Sequence, residues 1–177
     1  MKNIQHLFLA ASITLLSAFT ISESIDWKIS SNHSIKFSGT DAEGIFKTMS
    51  GDVAFDEANL SASKFDFKID VKSINTGNGM KNKHAVSDKW FDADKFPNIE
   101  FKSKSFTKSK TGYTVTGSLK MHGIEKSVTI PFTFSSNTFK AKFSVNRLDY
   151  KIGTMEGMMK KVSNEIKLDV SIPVTKK

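Results

Sequence analysis

The strongest constraint on the fold of this chain is a two-residue period of apolar side chains that recurs along most of its length. In the run "KFDFKIDVKSI", Phe65 and Phe67 alternate with Asp66 and Lys68. Because successive side chains of a β-strand point to opposite faces, such a run predicts a strand with one apolar and one polar face. Antiparallel sheets with one side in water have this pattern.

About eight or nine runs share the alternation, and short turn candidates, most of them with Gly, separate many of them. The runs are "SIDWKIS", "SIKFS", "SGDVAFD", "KFDFKIDVKSI", "NIEFKSKS", "GYTVTGSLKM", "KSVTIPFTFS", "TFKAKFSVN" and "NEIKLDVSIPV". Three consecutive hairpins from Ile99 to Asn146 predict an up-and-down meander. Pro131 and Pro173 fall inside such runs, so we expect each near a bulge, an edge or a strand end. The sequence predicts a mainly β protein, an antiparallel barrel of about eight strands.

Two segments interrupt the alternation. The first, residues 76–95, contains "SDKWFDADKF", which predicts a helical turn with Ser87 as its N-cap and the acids Asp88 and Asp92 in the early turns. Pro97 then returns the chain to extended structure. The second, "KIGTMEGMMKKVSN", predicts a mobile Met-rich loop before the last strand. The barrel is therefore expected to carry one short helical connector.

The N-terminal residues predict a signal peptide at 1–24, followed by one domain at 25–177. Lys2 precedes the apolar run "LFLAASITLLSAF", and polar residues follow it. The run is shorter than the ~20 apolar residues that span a bilayer, although an uncleaved anchor helix remains the alternative. Candidate cleavage sites follow Ala18, Thr20, Ser22 and Ser24. This segment predicts a periplasmic or secreted protein.

Composition excludes several classes of protein. The chain has no Cys, which excludes disulfide-stapled miniproteins, thiol enzymes and Cys-ligated metal sites. The net charge is +8, but the lysines are spread along the chain and mostly alternate with apolar residues, so we expect no nucleic-acid partner. The four His show no metal-ligand spacing, and no metal site is predicted.

The apolar face of the predicted strands is rich in phenylalanine. From the residues alone, rings that fill a dry core are the simpler interpretation, although a barrel of this size also suits one small ligand. The rings expected to point inward are Phe37, Phe65, Phe67, Phe101, Phe132, Phe134, Phe139 and Phe143, with Phe46 and Phe55 as further candidates.

Five ordered motifs resemble the YceI-like family of exported bacterial proteins. They are "GIFKTMSGDVAFD", "KIDVKSINTGN", "KNKHAVSDKWFDADKFPNIEFKS", "VTGSLKMHGIEKSVTIPFTF" and "FSVNRLDYKIG". The central motif departs from the family pattern at Lys81 and Asn82, where the family has Arg and Asp. It departs also at Ala85, where the family has Leu, at Trp90, which replaces Phe, and at Phe96, which replaces Tyr.

The resemblance implies a lipocalin-like barrel whose lumen binds a long apolar chain for transport, storage or stress protection. The implied ligand is a polyisoprenoid, an isoprenoid quinone or a fatty-acid-like molecule, and no other cofactor is expected. The resemblance shifts the interpretation of the aromatic face from a dry core to a ligand-lined cavity. The expected ligand contacts are Phe37, Phe46, Phe65, Phe67, Phe101, Phe132, Phe134, Phe143, His84, Trp90 and Phe91. Peripheral membrane contact and a homodimer stay open.

Two other functions stay open. In the first, a hydrolase or another enzyme acts on such a lipid with His84 as general base, although no nucleophile elbow is present. We prefer a structural hydrogen bond for His84 and therefore expect no catalysis. In the second, a filled barrel acts through its surface. We also expect an internal pair between Arg147 and Asp149, and a surface turn at His122.

Overall fold

The computed structural model describes residues 24–177, so the predicted signal peptide lies outside the described residues except for Ser24. The described part contains eleven strands and one α-helix. The strands are β1 (Asp26–Ile29), β2 (Ser34–Gly39), β3 (Ala42–Phe46), β4 (Met49–Ala54), β5 (Lys64–Asp70), β6 (Ile74–Asn75), β7 (Asn98–Ser109), β8 (Gly112–Met121), β9 (Ile124–Ser135), β10 (Thr138–Asn146) and β11 (Glu165–Lys176). The helix is α1 (Gly79–Val86), and short 3-10 segments cover Leu60–Ala62, Val71–Ser73, Arg147–Tyr150 and Gly157–Lys161.

The strands form one antiparallel sheet that closes on itself. Neighbours follow the order β1, β4, β5, β7, β8, β9, β10 and β11, and β11 pairs again with β1 through Ile29 and Val174. The three remaining strands are short. β2 pairs with β11 next to the segment of β11 that pairs with β1, β3 pairs with β2, and β6 pairs with β3. The ring therefore has eight strand positions, which confirms the predicted barrel with one short helix.

Local polar contacts explain why some alternating runs are split. The run from Lys64 continues the apolar pattern to Val71, but the strand ends at Asp70, whose side chain accepts the N–H of Lys72. Val71 is still buried inside the following 3-10 turn. The ladder between β9 and β10 stops at Phe132, just short of Pro131, and Pro173 forms the last pair of the β10–β11 ladder. Each proline therefore lies at the end of one ladder, although Pro131 stays paired with Thr114 of β8 in the interior of β9.

The helix lies earlier in the connector than the sequence predicted. The side chain of Asn78 accepts the N–H groups of Met80 and Lys81 and so begins α1. Ser87 ends this helix: its N–H and its hydroxyl both donate to the carbonyl of His84. The prediction of Ser87 as an N-cap is therefore wrong, because Asn78 caps the helix and the acids from Asp88 onward lie beyond its end. Residues 88–95 form turns instead.

One end of the barrel is filled by aromatic rings. Phe55, which follows β4 and is 1% exposed, lies at the centre of this cluster. The indole N–H of Trp27 donates to the Phe55 carbonyl at 2.9 Å. Ring centroids of six neighbours lie within 6.3 Å of Phe55. We call Phe55 and these neighbours the aromatic plug; the neighbours are Phe65, Phe106, Tyr113, Phe132, Phe134 and Phe139.

The opposite end of the barrel, here the connector end, gathers α1, the β8–β9 turn and the loop between β10 and β11. His122 adopts a positive φ of 49° in the predicted turn. It is half-buried rather than on the surface: its Nδ1 lies 3.1 Å from the Tyr150 carbonyl oxygen, and its ring packs edge-on against Phe96. The backbone of Ser163 donates to the carbonyl of Thr40 and joins two further loops here. No helix among the described residues is long and apolar enough to cross a membrane.

Candidate functional site

A cavity of about 530 Å³ occupies the connector end of the barrel. Most of its wall is apolar and comes from strands β2, β3, β10 and β11 and from the two connector-end loops. Exposed charged and polar side chains also line it, so this end opens to solvent. We call these residues the mouth; they are Asp41, Glu43, Lys81, His84 and Lys161.

A smaller cavity of about 120 Å³ lies deeper in the barrel. Phe65, Phe132 and Phe139, three members of the aromatic plug, line it. The two cavities share part of their walls, so the smaller one continues the larger one toward the plug. The shared residues are Ile35, Ile69, Ile99, Leu119, Phe143 and Val170.

The structure brings most of the predicted ligand contacts to these two cavities. The larger cavity is lined by Phe37, Phe46, His84, Trp90, Phe91 and Phe143. The smaller cavity is lined by Phe65, Phe67, Phe101, Phe132 and again Phe143. Phe134 lines neither cavity, because its ring stacks on Phe139 at 4.4 Å and meets Trp27 at 5.3 Å on the far side of the plug. We therefore leave Phe134 out of the proposed contacts.

Aromatic contacts hold the connector on the barrel. Phe91 meets Phe46 edge-on, with ring centroids 6.0 Å apart, and Phe46 in turn packs on Phe37 of the neighbouring strand. Phe96 packs against His122, 4.9 Å between centroids. The connector rings therefore pack on the barrel end, and Phe91 with Phe46 and Phe37 forms part of the wall of the larger cavity.

Asparagines, and not His84, provide the hydrogen bonds that fix the connector. The amide oxygen of Asn82 accepts from both the N–H and the hydroxyl of Thr76, each at 2.8 Å. His84 is exposed, and within residues 24–177 its ring makes no hydrogen bond. The predicted structural hydrogen bond of His84 is therefore wrong. Asn82 takes that role at the position where the resemblance has Asp.

The Ser87 and Asp92 side chains near His84 bond to other groups. The Ser87 hydroxyl donates to the His84 backbone carbonyl at 2.7 Å, so it points to the backbone and not to the ring. The Asp92 carboxylate accepts from Lys95 at 2.9 Å. Within residues 24–177, no cluster of His, Asp and Glu side chains suits a metal ion.

Arg147 is the one buried charged residue of the described chain, at 3% exposure, and it lines the larger cavity. Its Nη1 donates to the Ile152 carbonyl at 2.8 Å and its Nε to the Ser163 carbonyl at 3.1 Å. Its Nη2 lies within 3.3 Å of further oxygens, those of Thr154, Met159, Val162 and Asn164. Burial lowers the pKa of Arg147. A buried charge must be paired or hydrogen-bonded, and these oxygens accept the hydrogen bonds that a carboxylate partner would otherwise accept.

The predicted ion pair of Arg147 is wrong. Asp149 lies 3.7 Å from the ammonium of Lys126 instead, and both side chains are about half exposed. Asp149 follows Arg147 within the same 3-10 turn, while the guanidinium reaches into the loop that precedes β11. The carbonyls of that loop provide the acceptors.

Comparison with known proteins agrees with this architecture. The profile of the YceI-like domain matches residues 24–174. The chain belongs to the YceI-like domain family. A UPF0312 protein of Yersinia enterocolitica is 30% identical over 139 residues, which cover 73% of this chain and 71% of that protein. The protein YceI of Salmonella arizonae matches over the same shares at 30% identity.

Solved structures share the barrel of this YceI-like domain. Burkholderia cenocepacia BcnA gives a TM-score of 0.77 at 27% identity, over 84% of this chain and 99% of its own. A polyisoprenoid binding domain from Saccharophagus degradans, implicated in plant cell wall breakdown, gives 0.63 at 14% identity. That match covers 86% of this chain and 99% of the domain, and at this identity it shows the fold alone.

Sequence reasoning missed the contribution of the second loop to the site of this YceI-like domain. Ile152, Met158 and Met159 line the larger cavity, and Arg147 holds their loop by its backbone. The predicted mobility of this loop stays a prediction. One signal was present in the sequence: Arg147 is the only arginine in a lysine-rich chain. The planar guanidinium of arginine can donate to several acceptors at once, and the ammonium of lysine cannot match this geometry.

Proposed function

We propose that this protein binds one long apolar chain in the barrel lumen, with the tail toward the aromatic plug. The observation that carries the proposal is the larger cavity of about 530 Å³ with its mainly apolar wall. Its volume falls within the ~300–1,000 Å³ that is typical of small-molecule sites. A filled barrel acting only through its surface would need no such space, so we prefer the binding role.

The energetics favour an apolar ligand over a polar one. Each methylene removed from water contributes ~0.8 kcal/mol, so a tail of about 15 carbons contributes roughly 12 kcal/mol before the cost of association. That cost is estimated at 4–15 kcal/mol, so an apolar tail alone can provide much of the affinity. The ligand classes that fit are a polyisoprenoid, an isoprenoid quinone or a fatty-acid-like molecule. The Saccharophagus degradans domain, described as polyisoprenoid binding, supports this choice.

In this proposal the polar end of the ligand would lie at the mouth. Lys81, His84 and Lys161 supply positive or titratable groups there, beside the acids Asp41 and Glu43. A mouth of mixed charge accepts a small polar head and leaves it in contact with water. The protein would transport, store or sequester the lipid outside the cytoplasm, a location that rests on the predicted signal peptide.

Ligand extraction and uptake test the proposal. Purified protein is examined by native mass spectrometry, extracted into organic solvent, and then offered a prenyl quinone. We expect a co-purifying apolar molecule or saturable uptake of the quinone. Protein that carries nothing and takes up no quinone would contradict the proposal.

Neighbouring residues on β10 provide a matched pair of variants. Phe143 lines both cavities, whereas Ser144 is exposed on the outer face of the same strand. Phe143→Glu should abolish uptake because it places a charge in the lumen, and Ser144→Glu should leave it unchanged. Equal uptake by two folded variants would remove the lumen as the binding site.

We also propose that the role is binding and not catalysis. The exposed ring of His84 and the backbone hydrogen bond of Ser87 support this. In the test, candidate lipids are incubated with wild-type protein and with His84→Ala. We expect both to bind the lipid and return it unchanged. Turnover by the wild type that disappears in the variant would establish an enzyme instead.

A further inference from the structure

We propose that the connector end of the barrel docks on an anionic phospholipid bilayer, with the mouth turned toward the lipid. The surface that docks comes from two segments that border the mouth: α1, and residues 155–161 of the loop before β11. Docking adds a partner to the lipid-binding role and needs no ligand in the lumen. Exposed methionines, unpaired lysines and their place beside the larger cavity support it.

The large apolar side chains that residues 24–177 expose to solvent all lie at this end. They are Met80 of α1, at 69% exposure, and Met155 and Met158 of the loop, at 52% and 73%. Exposed apolar side chains gathered at one end of a protein are typical of a surface that meets a partner or a membrane. The flexible thioether chain of methionine adapts to an irregular apolar surface such as a bilayer interface.

Four exposed lysines accompany the methionines. They are Lys81 and Lys83 of α1 and Lys160 and Lys161 of the loop. Within residues 24–177, none of the four forms an ion pair. α1 contains no acid, and Glu156 is the one acid of residues 155–161. We call the three methionines and four lysines the docking surface.

An anionic bilayer matches both kinds of side chain on the docking surface. Apolar side chains enter the interface between headgroups and acyl chains, and lysines are attracted to the anionic headgroups. The stem of a lysine packs along apolar groups while its ammonium reaches the phosphates. Methionine and lysine on the same short segments therefore act together at such a surface.

The docking surface is continuous with the mouth. Lys81 of α1 and Met158 of the loop are exposed and yet line the larger cavity. The acids of the mouth, Asp41 and Glu43, lie outside the two segments, on the hairpin of β2 and β3. The side of the mouth that meets the bilayer is therefore basic and apolar, and a lipid that passes from the bilayer to the lumen crosses little water.

A bilayer suits the docking surface better than a second copy of the chain. A two-fold dimer brings the same patch of both copies together, so the unpaired lysines of one copy would meet those of the other. Like charges at an interface oppose association. The net charge of +8 also attracts the chain to an anionic surface and repels another copy.

Vesicle co-sedimentation tests docking. Purified, delipidated protein is mixed with vesicles of phosphatidylcholine alone, or of phosphatidylcholine and phosphatidylglycerol in equal parts. We expect binding to the anionic vesicles and little binding to the neutral ones. High salt should weaken the binding, because ions screen the attraction between lysines and headgroups.

Lysines outside the cavities provide the charge test. Lys83 and Lys160 line neither cavity. Lys83→Gln with Lys160→Gln should lower the partition coefficient about 25-fold, because each lysine near an anionic surface contributes about fivefold. The matched control, Lys108→Gln with Lys110→Gln, removes the same charge at the plug end, where Lys108 pairs with Tyr113. It should lower partition far less.

Met80 provides the apolar test, since it also lines neither cavity. Met80→Gln should lower partition about tenfold, and Met80→Leu, which keeps the apolar surface, should restore it. Uptake of a prenyl quinone without vesicles should equal that of the wild type in all these variants. Vesicle binding and lumen binding are thus measured separately.

The outcomes separate docking from the lipid-binding function. Equal binding to neutral and anionic vesicles, or equal losses in the two double lysine variants, would overturn docking and leave the binding function if quinone uptake persists. Absent uptake with vesicle binding retained would overturn the function and support docking. Analytical ultracentrifugation covers the second copy: a dimer that Met80→Gln weakens would assign the surface to self-association and overturn docking.

Discussion

The guanidinium carbon of Arg147 lies 5.4 Å from the centroid of the Trp90 ring. This cation–π contact joins the loop before β11 to the connector after α1, and both residues line the larger cavity. Gly153 lies against both side chains and leaves no room for a larger residue. A Cβ at this position would lie 2.9 Å from Arg147 Nη1 and 2.9 Å from Trp90 Cζ3. The three residues therefore fix how the two loops meet at the connector end.

Truncation of Arg147 should destabilise the fold strongly. In Arg147→Ala, the carbonyls of Ile152, Ser163 and their neighbours lose a shared donor, and each buried oxygen left unpaired costs about 1–3 kcal/mol. Water reaches some of them, so we expect a loss of about 3 kcal/mol or more in the free energy of unfolding. Urea denaturation measures it, and hydrogen exchange should rise first in residues 152–164.

The variant Arg147→Lys separates the contribution of the guanidinium hydrogen bonds to stability from the contribution of the charge. Lysine keeps the positive charge but carries its donors on one atom, so it cannot reach both Ile152 and Ser163 as the guanidinium does. We expect a stability between those of the wild type and Arg147→Ala. A lysine variant as stable as the wild type would show that charge alone is sufficient.

Replacement by alanine should destabilise the protein more at Gly153 than at Gly77, a glycine with a similar backbone conformation but free space around it. Gly153 has φ +67° and close neighbours, whereas Gly77 has φ +74° and nothing within 4 Å of the point where a Cβ would lie. Gly77→Ala should cost about 1–2 kcal/mol from backbone strain alone. Gly153→Ala should cost about 1–3 kcal/mol more, because Arg147 or Trp90 must move.

Thermal or urea denaturation of the two alanine variants gives the difference directly. Equal losses of stability would mean that Arg147 and Trp90 accommodate the methyl group without cost. Ligand uptake by Gly153→Ala should also fall, since both displaced side chains line the larger cavity.

The barrel was predictable because its signal is local. Alternation at Phe65, Phe67 and Ile69 reports two faces of a strand wherever that strand lies in the sheet. The interruptions were less predictable, because short-range polar contacts decide them. Asn78 and Ser87 are both good capping residues, and only the observed bonds to Met80 and Lys81 show that Asn78 starts the helix.

From the alternation alone, the site was predictable only where it is built from strands. Phe37, Phe46 and Phe143 face the lumen by the period of the strand, and they line a cavity. The plug and the cavity contain the same residue type, so the pattern does not show which rings leave space between them. The partner of Arg147 was predicted wrongly for another reason. The acceptors of its guanidinium are backbone oxygens of a loop, which the sequence does not mark.

Removal of the Asn78 side chain should weaken α1. Asn78 Oδ1 accepts the N–H groups of Met80 at 2.9 Å and Lys81 at 3.1 Å. Asn78→Ala should therefore cost about 1 kcal/mol. Ser87→Ala is the matched control, because the Ser87 hydroxyl donates only to the last turn, and its loss should cost less. Larger destabilisation in Ser87→Ala than in Asn78→Ala would reverse the assignment of the cap.

Alkaline pH should weaken the plug end of the barrel through Tyr113. Its hydroxyl donates to Glu57 at 2.5 Å, and this hydrogen bond, followed by burial and the charge of the carboxylate, raises the pKa of Tyr113 to about 12. The native state thus holds its proton more tightly than the unfolded chain, whose tyrosine pKa is about 10. The contribution to stability is fully present below pH ~10 and is lost as the pH rises toward ~12.

The measurement compares wild-type protein with Tyr113→Phe by urea denaturation at several pH values. A Tyr150→Phe background is used for both, because burial, followed by the charge of Asp149, also raises the pKa of Tyr150. Lysines deprotonate in the same range in both proteins, so only the difference in unfolding free energy is informative. We expect that difference to shrink between pH ~10 and ~12.

Glu57→Gln keeps an acceptor for the Tyr113 hydroxyl but removes the charge, so the loss of stability should begin at a lower pH. A difference that stays constant across the range would show that Glu57 does not hold the Tyr113 proton.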